Sequence, residues 1–190
     1  MNSKKYESNY ENCISDVVRK IIDAQDKVKQ NKCDSGCEKS IMELLSQSNY
    51  KRNFNNTIPF FLTSRDNKPY IASGIIKAPI KGYPNESYFK CIETPILRAI
   101  KFNDNKNNCV VVELLRPVNA NGIPVADRGE YLCDFFQEQT PYKTIQFRST
   151  GVCTTIDLDC FCGITCLDPI SPLSPYSGLD ILKEHNNYEE

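Results

Sequence analysis

Apolar and polar positions repeat at two different periods along the chain, and the change of period marks its organisation. Ile14, Val17, Val18, Ile21, Ile22 and Val28 recur at helical spacing, with Arg19, Lys20, Asp23, Asp26 and Lys27 on the other side. Ser8 and Glu11 form a capping-box pair ahead of them, so an amphipathic helix is predicted over about 10–29. A second pair, Ser35 and Glu38, opens a shorter helix with Ile41, Met42, Leu44 and Leu45 on its apolar face, fading by Asn49. From about residue 57 the period drops toward two. Short β-rich runs at about 58–63, 69–77, 88–100, 109–116, 130–137, 142–148 and 151–158 are separated by turn-forming clusters at 65–68, 82–85, 103–108 and 121–122. No helical pattern intervenes. The expectation is a mainly β fold, an antiparallel, jelly-roll-like β-sandwich behind two N-terminal helices. The run Cys109-Val-Val-Val-Glu-Leu-Leu115, apolar except for Glu113, is the expected central strand.

Beyond Cys166 the segment Asp168-Pro-Ile-Ser-Pro-Leu-Ser-Pro175 carries three prolines, which remove donors and fix φ. The expected organisation is a disordered 1–10, a helical 11–50, a β-sandwich over 51–167 that ends in a cysteine-rich motif, and an exposed, disordered acidic tail over 168–190. No internal repeat is visible.

At 190 residues the chain is long enough to bury a core without covalent staples. A net charge of −1 gives no electrostatic reason to expect nucleic acid or an anionic membrane as partner. The same neutrality leaves little global repulsion between copies. No apolar run approaches the roughly 18 residues that span a bilayer, and the first ten residues lack the apolar core of a signal peptide. Ten cysteines in a chain without an export signal therefore need explaining.

These cysteines are Cys13, Cys33, Cys37, Cys91, Cys109, Cys133, Cys153, Cys160, Cys162 and Cys166, the last four crowded into one motif. Thiols so arranged serve metal ligation, redox catalysis or cross-linking. Cys33, Cys37, Cys160, Cys162 and Cys166 supply enough thiolates for a structural zinc site, as in a zinc-stabilised binding module. However, paired C-x2-C knuckles are absent and the one histidine, His185, lies in the tail. Redox catalysis wants C-x-x-C in a βαβ setting, which is missing. Cys37, at the start of a capped helix, has the dipole to favour its thiolate but no base beside it. No hydrolase elbow, zinc-protease helix, phosphate loop or dinucleotide fingerprint is present. Asp157 and Asp159 flank Leu158 and fit surface carboxylates at a strand end. Arg98 and Arg116 fit surface or rim ion pairs, while Phe54 and the aromatics of Ser87-Tyr-Phe-Lys90 fit core packing. Cys109 and Cys153, inside strands, fit buried thiols, with Cys153 expected in the core. Cys33, Cys37, Cys160, Cys162 and Cys166 sit in loops or at element ends, where a bridge to another chain is easier to form. Cross-linking suits a protein made reduced and oxidised later in an exposed structure.

Six segments carry a more specific likeness: Cys13-Ile-Ser-Asp-Val-Val-Arg19 with Ile22 and Gln25, Cys33-Asp-Ser-Gly-Cys-Glu38, Ile58-Pro-Phe-Phe-Leu62, Thr94-Pro-Ile-Leu-Arg98, Cys109-Val-Val-Val112, and Cys153-Thr-Thr-Ile-Asp-Leu-Asp-Cys-Phe-Cys-Gly-Ile-Thr-Cys-Leu167. In this order, from about 11 to 167, they resemble the CotY/CotZ/ExsY family of cysteine-rich outer coat, crust and exosporium proteins of bacterial endospores. The resemblance implies a non-enzymatic structural protein without a cofactor, made in the mother cell cytoplasm and placed at the spore surface. It implies self-association into two-dimensional, hexagonally ordered layers hardened by disulfides, with other coat proteins as further partners. Relatives often begin with a cysteine- and histidine-rich tract, which residues 1–12 lack, and the 168–190 extension is longer than in many of them.

Overall fold

In the computed structural model, which describes residues 14–27, 35–46, 55–80, 83–103, 106–126, 128–136, 143–144 and 146–175, the change of period becomes two helices followed by seven strands. The helices are α1, Ile14–Asp26, and α2, Cys37–Ser46; the strands are β1, Phe60–Ser64, β2, Ala72–Ile80, β3, Tyr83–Thr94, β4, Leu97–Asn103, β5, Lys106–Val118, β6, Gln146–Asp157, and β7, Phe161–Cys166. The predicted helix ends at 10–13 and 28–29, the Ser8 cap, Phe54 and His185 lie outside the described residues. The chain divides into two compact units, Met1–Asp34 and Ser35–Glu190. In the first, α1 has the expected amphipathic pattern, with Val17, Val18, Ile21 and Ile22 about half exposed.

In the second unit every strand pairing is antiparallel, in a five-stranded sheet of order β6-β5-β4-β1-β7 and a separate β2–β3 hairpin. The mainly β expectation holds. The jelly-roll expectation gives way to one larger sheet with a small hairpin over it. A Cβ at Gly74 of β2 would stand 2.8 Å from Val152 and 3.1 Å from Leu114, so the hairpin lies directly on β5 and β6. β5 is buried continuously from Val112 to Val118, as a strand covered on both faces should be. Leu114 packs into a cluster with Phe60, Leu62, Ile92, Leu97 and Val112, while Leu115 packs with Ile96 and Phe147.

The sheet cannot be flat. β1 meets β4 at one pair only, Phe60 with Leu97, and runs away from the end of β5 where Cys109 faces Asp157. A three-residue 3-10 turn, Leu158–Cys160, nevertheless joins Asp157 to Phe161, which faces Ser64. In a flat sheet those ends would stand about 30 Å apart, whereas the connection reaches no more than about 14 Å. The β1–β7 ladder is therefore folded back over the rest. Arg65 donating to the Asp159 carbonyl, and Asn108 donating to the Asp159 carboxylate at 2.8 Å, hold the join. Asp157 caps the same turn by accepting from the Asp159 N–H at 3.0 Å. These two aspartates, expected as plain surface carboxylates, are hinge-building groups.

Four expected strands are revised. The run at 88–100 is two strands in different layers, because Pro95 has no N–H with which to continue a ladder. The Thr94 hydroxyl turns the corner, accepting from the Ile96 N–H at 3.1 Å and donating to the Leu115 carbonyl at 2.6 Å. The runs at 142–148 and 151–158 are one strand from Gln146 to Asp157, bulged at Gly151, whose φ of 72° is left-handed. The run at 130–137 is instead a 3-10 helix, Leu132–Phe135, because Asp134 accepts from the N–H groups of Glu130 and Tyr131 at 2.9 and 2.8 Å. β7 is a strand where none was expected.

The expected disordered tail is also corrected over its first eight residues. Ile170 exchanges backbone bonds with Thr57 at 2.8 and 3.1 Å, and Leu173 bonds Phe147 and Ser149 along β6 at 2.9 and 3.0 Å. Pro169, Pro172 and Pro175 stand at positions other than these two donors, so none of these bonds requires a proline N–H.

Glu113, the interruption in the apolar run of β5, ties three strands together. It is 3% exposed. One carboxylate oxygen accepts from the Ser149 hydroxyl and, at 2.8 Å, from the Gly151 N–H of the bulge. The other takes the Arg98 guanidinium of β4, with Nε at 2.6 Å. Arg98, its side chain 28% exposed, makes the expected rim ion pair, whereas Arg116, 1% exposed, is buried outright. Burial pushes the Glu113 pKa up, but the bonds from Ser149, Gly151 and Arg98 outweigh it and hold the carboxyl below its ordinary value. A depressed carboxyl stabilises the fold above the unfolded pKa of about 4.3 and loses that contribution as pH falls through its folded pKa. Glu113→Gln is expected to cost about 2–4 kcal/mol at pH 7 by leaving Arg98 without its counter-ion. Urea titrations from pH 7 down to 3 should show the parent losing stability more steeply than the variant.

Candidate cross-linking sites

Among the described residues one disulfide, Cys37–Cys166, joins the first turn of α2 to the end of β7, with Cα atoms 4.6 Å apart across 129 residues of sequence. The capping region places Cys37 by closing the helix on the Gly36 carbonyl, which accepts from the Ser40 N–H at 3.0 Å. Ser40, fully buried, then donates its hydroxyl to Leu167 at 2.9 Å, one residue past Cys166. Cys166 itself is 8% exposed and packs with Phe60 and Leu62. Both partners, expected to reach toward other chains, are spent within this one. By the chain-entropy account a loop of this length adds about 5 kcal/mol at 25 °C.

The pairing also removes two of the five candidate zinc ligands, since a disulfide sulfur is no thiolate. Cys13 and Cys33 lie outside the described residues. Among the described residues no group of three or more histidine, cysteine or acidic side chains is placed to hold a metal.

Six further thiols are described, and the strands and turns distribute them rather than gather them. Cys91 stands on β3, Cys133 in the 3-10 helix after β5, Cys153 on β6, Cys160 in the turn before β7 and Cys162 on β7, all exposed; Cys109 on β5 is half-buried. Cys153, expected in the core, is outward because β6 alternates, burying Ile156 and exposing Cys153, Thr155 and Asp157. The Cys162 thiol donates to the Ser64 carbonyl at 3.1 Å, at the edge of the sheet. Of the Ser87–Lys90 aromatics, Phe89 departs from core packing at 78% exposed, while Tyr88 is half-buried. What the spacing of cysteines gave no sign of is the open apolar cavity of about 530 Å³ between α2 and the sheet, lined by Ile41, Leu44, Ile100, Phe102 and Ile164 among others.

Residues 1–169 match the family described as Spore coat protein Z. The chain belongs to that family. A relative, Spore coat protein Z of Bacillus subtilis (strain 168), is 27% identical over 157 residues, covering 83% of this chain and 89% of its own length. No solved structure matches. Membership in this spore coat family places the protein at the spore surface. Among the described residues no helix is long and apolar enough to cross a membrane. The matched region spans every described cysteine and stops just beyond the Cys37–Cys166 bridge.

For this spore coat protein the bridge has a direct test. Cys37→Ser and Cys166→Ser are each expected to lower the stability of the oxidised chain by about 3–5 kcal/mol. The double variant should lose no more than either single one, because the two sulfurs make one bond. Denaturation with and without reductant checks this, and under reductant the differences should largely vanish.

Proposed function

We propose that this chain is a structural subunit of the outer spore layers, assembling with copies of itself into a two-dimensional, hexagonally ordered sheet hardened by disulfides between subunits. On this reading it is made reduced in the mother cell cytoplasm, belongs to the coat, crust or exosporium basal layer, and contacts other coat proteins there. It has no catalytic task. The observation that carries the proposal is the scatter of exposed thiols, on β3, β6, β7 and two 3-10 segments, beside a single internal bridge among the described residues. One outward thiol yields a dimer, but a sheet requires links to at least three neighbours, hence thiols on several faces. Disulfides do not select the arrangement, because they close only where Cα atoms already lie within about 7 Å. Non-covalent contacts set the geometry, and oxidation makes it permanent.

Purified protein is expected to form ordered sheets in negative-stain micrographs, and heat with reductant is expected to release monomers. Monodisperse monomers under oxidising, non-denaturing conditions would overturn the proposal.

A further inference from the structure

The outer face of the β2–β3 hairpin carries exposed apolar and charged side chains together with a thiol. Ser73, Ile75 and Lys77 on β2 lie directly opposite Glu93, Cys91 and Phe89 on β3, and so share a side of the ribbon. The other side carries the buried Ala72, Gly74, Ile92 and Thr94 that face the sheet. Outward, Ile75 is 66% and Phe89 78% exposed. The rungs along the ribbon are therefore Ser73–Glu93, Ile75–Cys91 and Lys77–Phe89. An apolar centre with a thiol is flanked by a cation at one corner and an anion at the diagonal one. Among the described residues neither Lys77 nor Glu93 forms a salt bridge.

We propose that this face packs against the same face of a second copy, about a two-fold axis running across the strands at the Ile75–Cys91 rung. Such an axis reverses the order of the rungs. The lysine end of each copy meets the glutamate end of the other, so the charges complement each other twice over, while Ile75 and Phe89 are removed from water between them. A face with like charges at both ends would repel its own copy. This one matches it. Cys91 lies on the rung that the axis crosses and so meets its own counterpart, which is how a single thiol per chain closes a bridge between two chains. The covalent step needs an oxidant, for which a small-molecule disulfide such as oxidised glutathione suffices. The Cys91 thiolate attacks it and releases one small thiol; Cys91 of the second copy then attacks the mixed disulfide and releases the other. Two protein protons and two electrons leave on the two small thiols.

This contact rests on the self-assembly proposed above and names one interface within it. To test it, reduced full-length protein, half of it nitrogen-15-labelled, is treated with oxidised glutathione and digested without reduction. Mass spectrometry then counts Cys91–Cys91 peptides that carry one light and one heavy arm. These are expected in the parent, to fall about tenfold in Lys77→Glu, where two attractions become repulsions, and to recover in the Lys77→Glu/Glu93→Lys double variant. Their absence from sheets held by other disulfides overturns the hairpin contact and leaves the layer proposal standing. If no sheets form at all, both fall. An undiminished yield in Lys77→Glu also overturns the contact, because chance collision does not depend on that charge.

Discussion

The Glu113 carboxylate is the group on which the sheet depends. It sits on the most buried strand and receives bonds from Arg98 of β4 and from Ser149 and Gly151 of β6. A bulge takes backbone groups out of the ladder, and those groups need other partners. Glu113 supplies an acceptor for Gly151, and the Thr150 hydroxyl supplies two more bonds, to the Leu114 carbonyl at 2.7 Å and from the Val152 N–H at 3.1 Å. Val152, the residue after the bulge glycine, faces the hairpin. That is where Gly74 passes against Val152 with no room for a side chain.

How much of this was legible beforehand follows the range of the interactions. Both helices and the turn at 65–68 showed in the chain, because periodicity, capping pairs and Asx chemistry act within a few residues. Ser64 and Asp66 build that turn, with their side chains 2.6 Å apart and Asn67 left-handed at φ 63°. The exposed role of Cys153 and the burial of Arg116 were not legible. Each depends on which face of a strand meets the hairpin, and a one-residue change of register reverses that. The split at Pro95 was readable in principle, since a proline within a strand-like run argues for an edge or a break. The Leu132–Phe135 segment misled for the opposite reason: its apolar residues suit a strand, but Asp134 satisfies the local backbone more cheaply than a distant partner would.

The candidate sites divide in the same way. Cysteine density near residue 160 stood out at once and suggested one centre. The fold instead withdraws Cys166 into the core with Cys37 and turns Cys160 and Cys162 outward at the sheet edge. Partners 129 residues apart cannot be recognised from spacing. The outward hairpin face, likewise, becomes visible only when its register is known, because its apolar members Ile75 and Phe89 are fourteen positions apart in the chain and sit on neighbouring rungs.

The bridge from Cys37 to Cys166 has a topological meaning as well as an energetic one. All six remaining described thiols, from Cys91 to Cys162, lie between its two ends in sequence. Residues 37–166 of each oxidised subunit thus form a closed covalent ring that carries these six thiols along its circumference. If subunits are linked through them as proposed, the material behaves like mail rather than like knotted thread. When a subunit unfolds under tension, the load divides between the two arms of its ring, and the slack released is bounded by the ring's own perimeter.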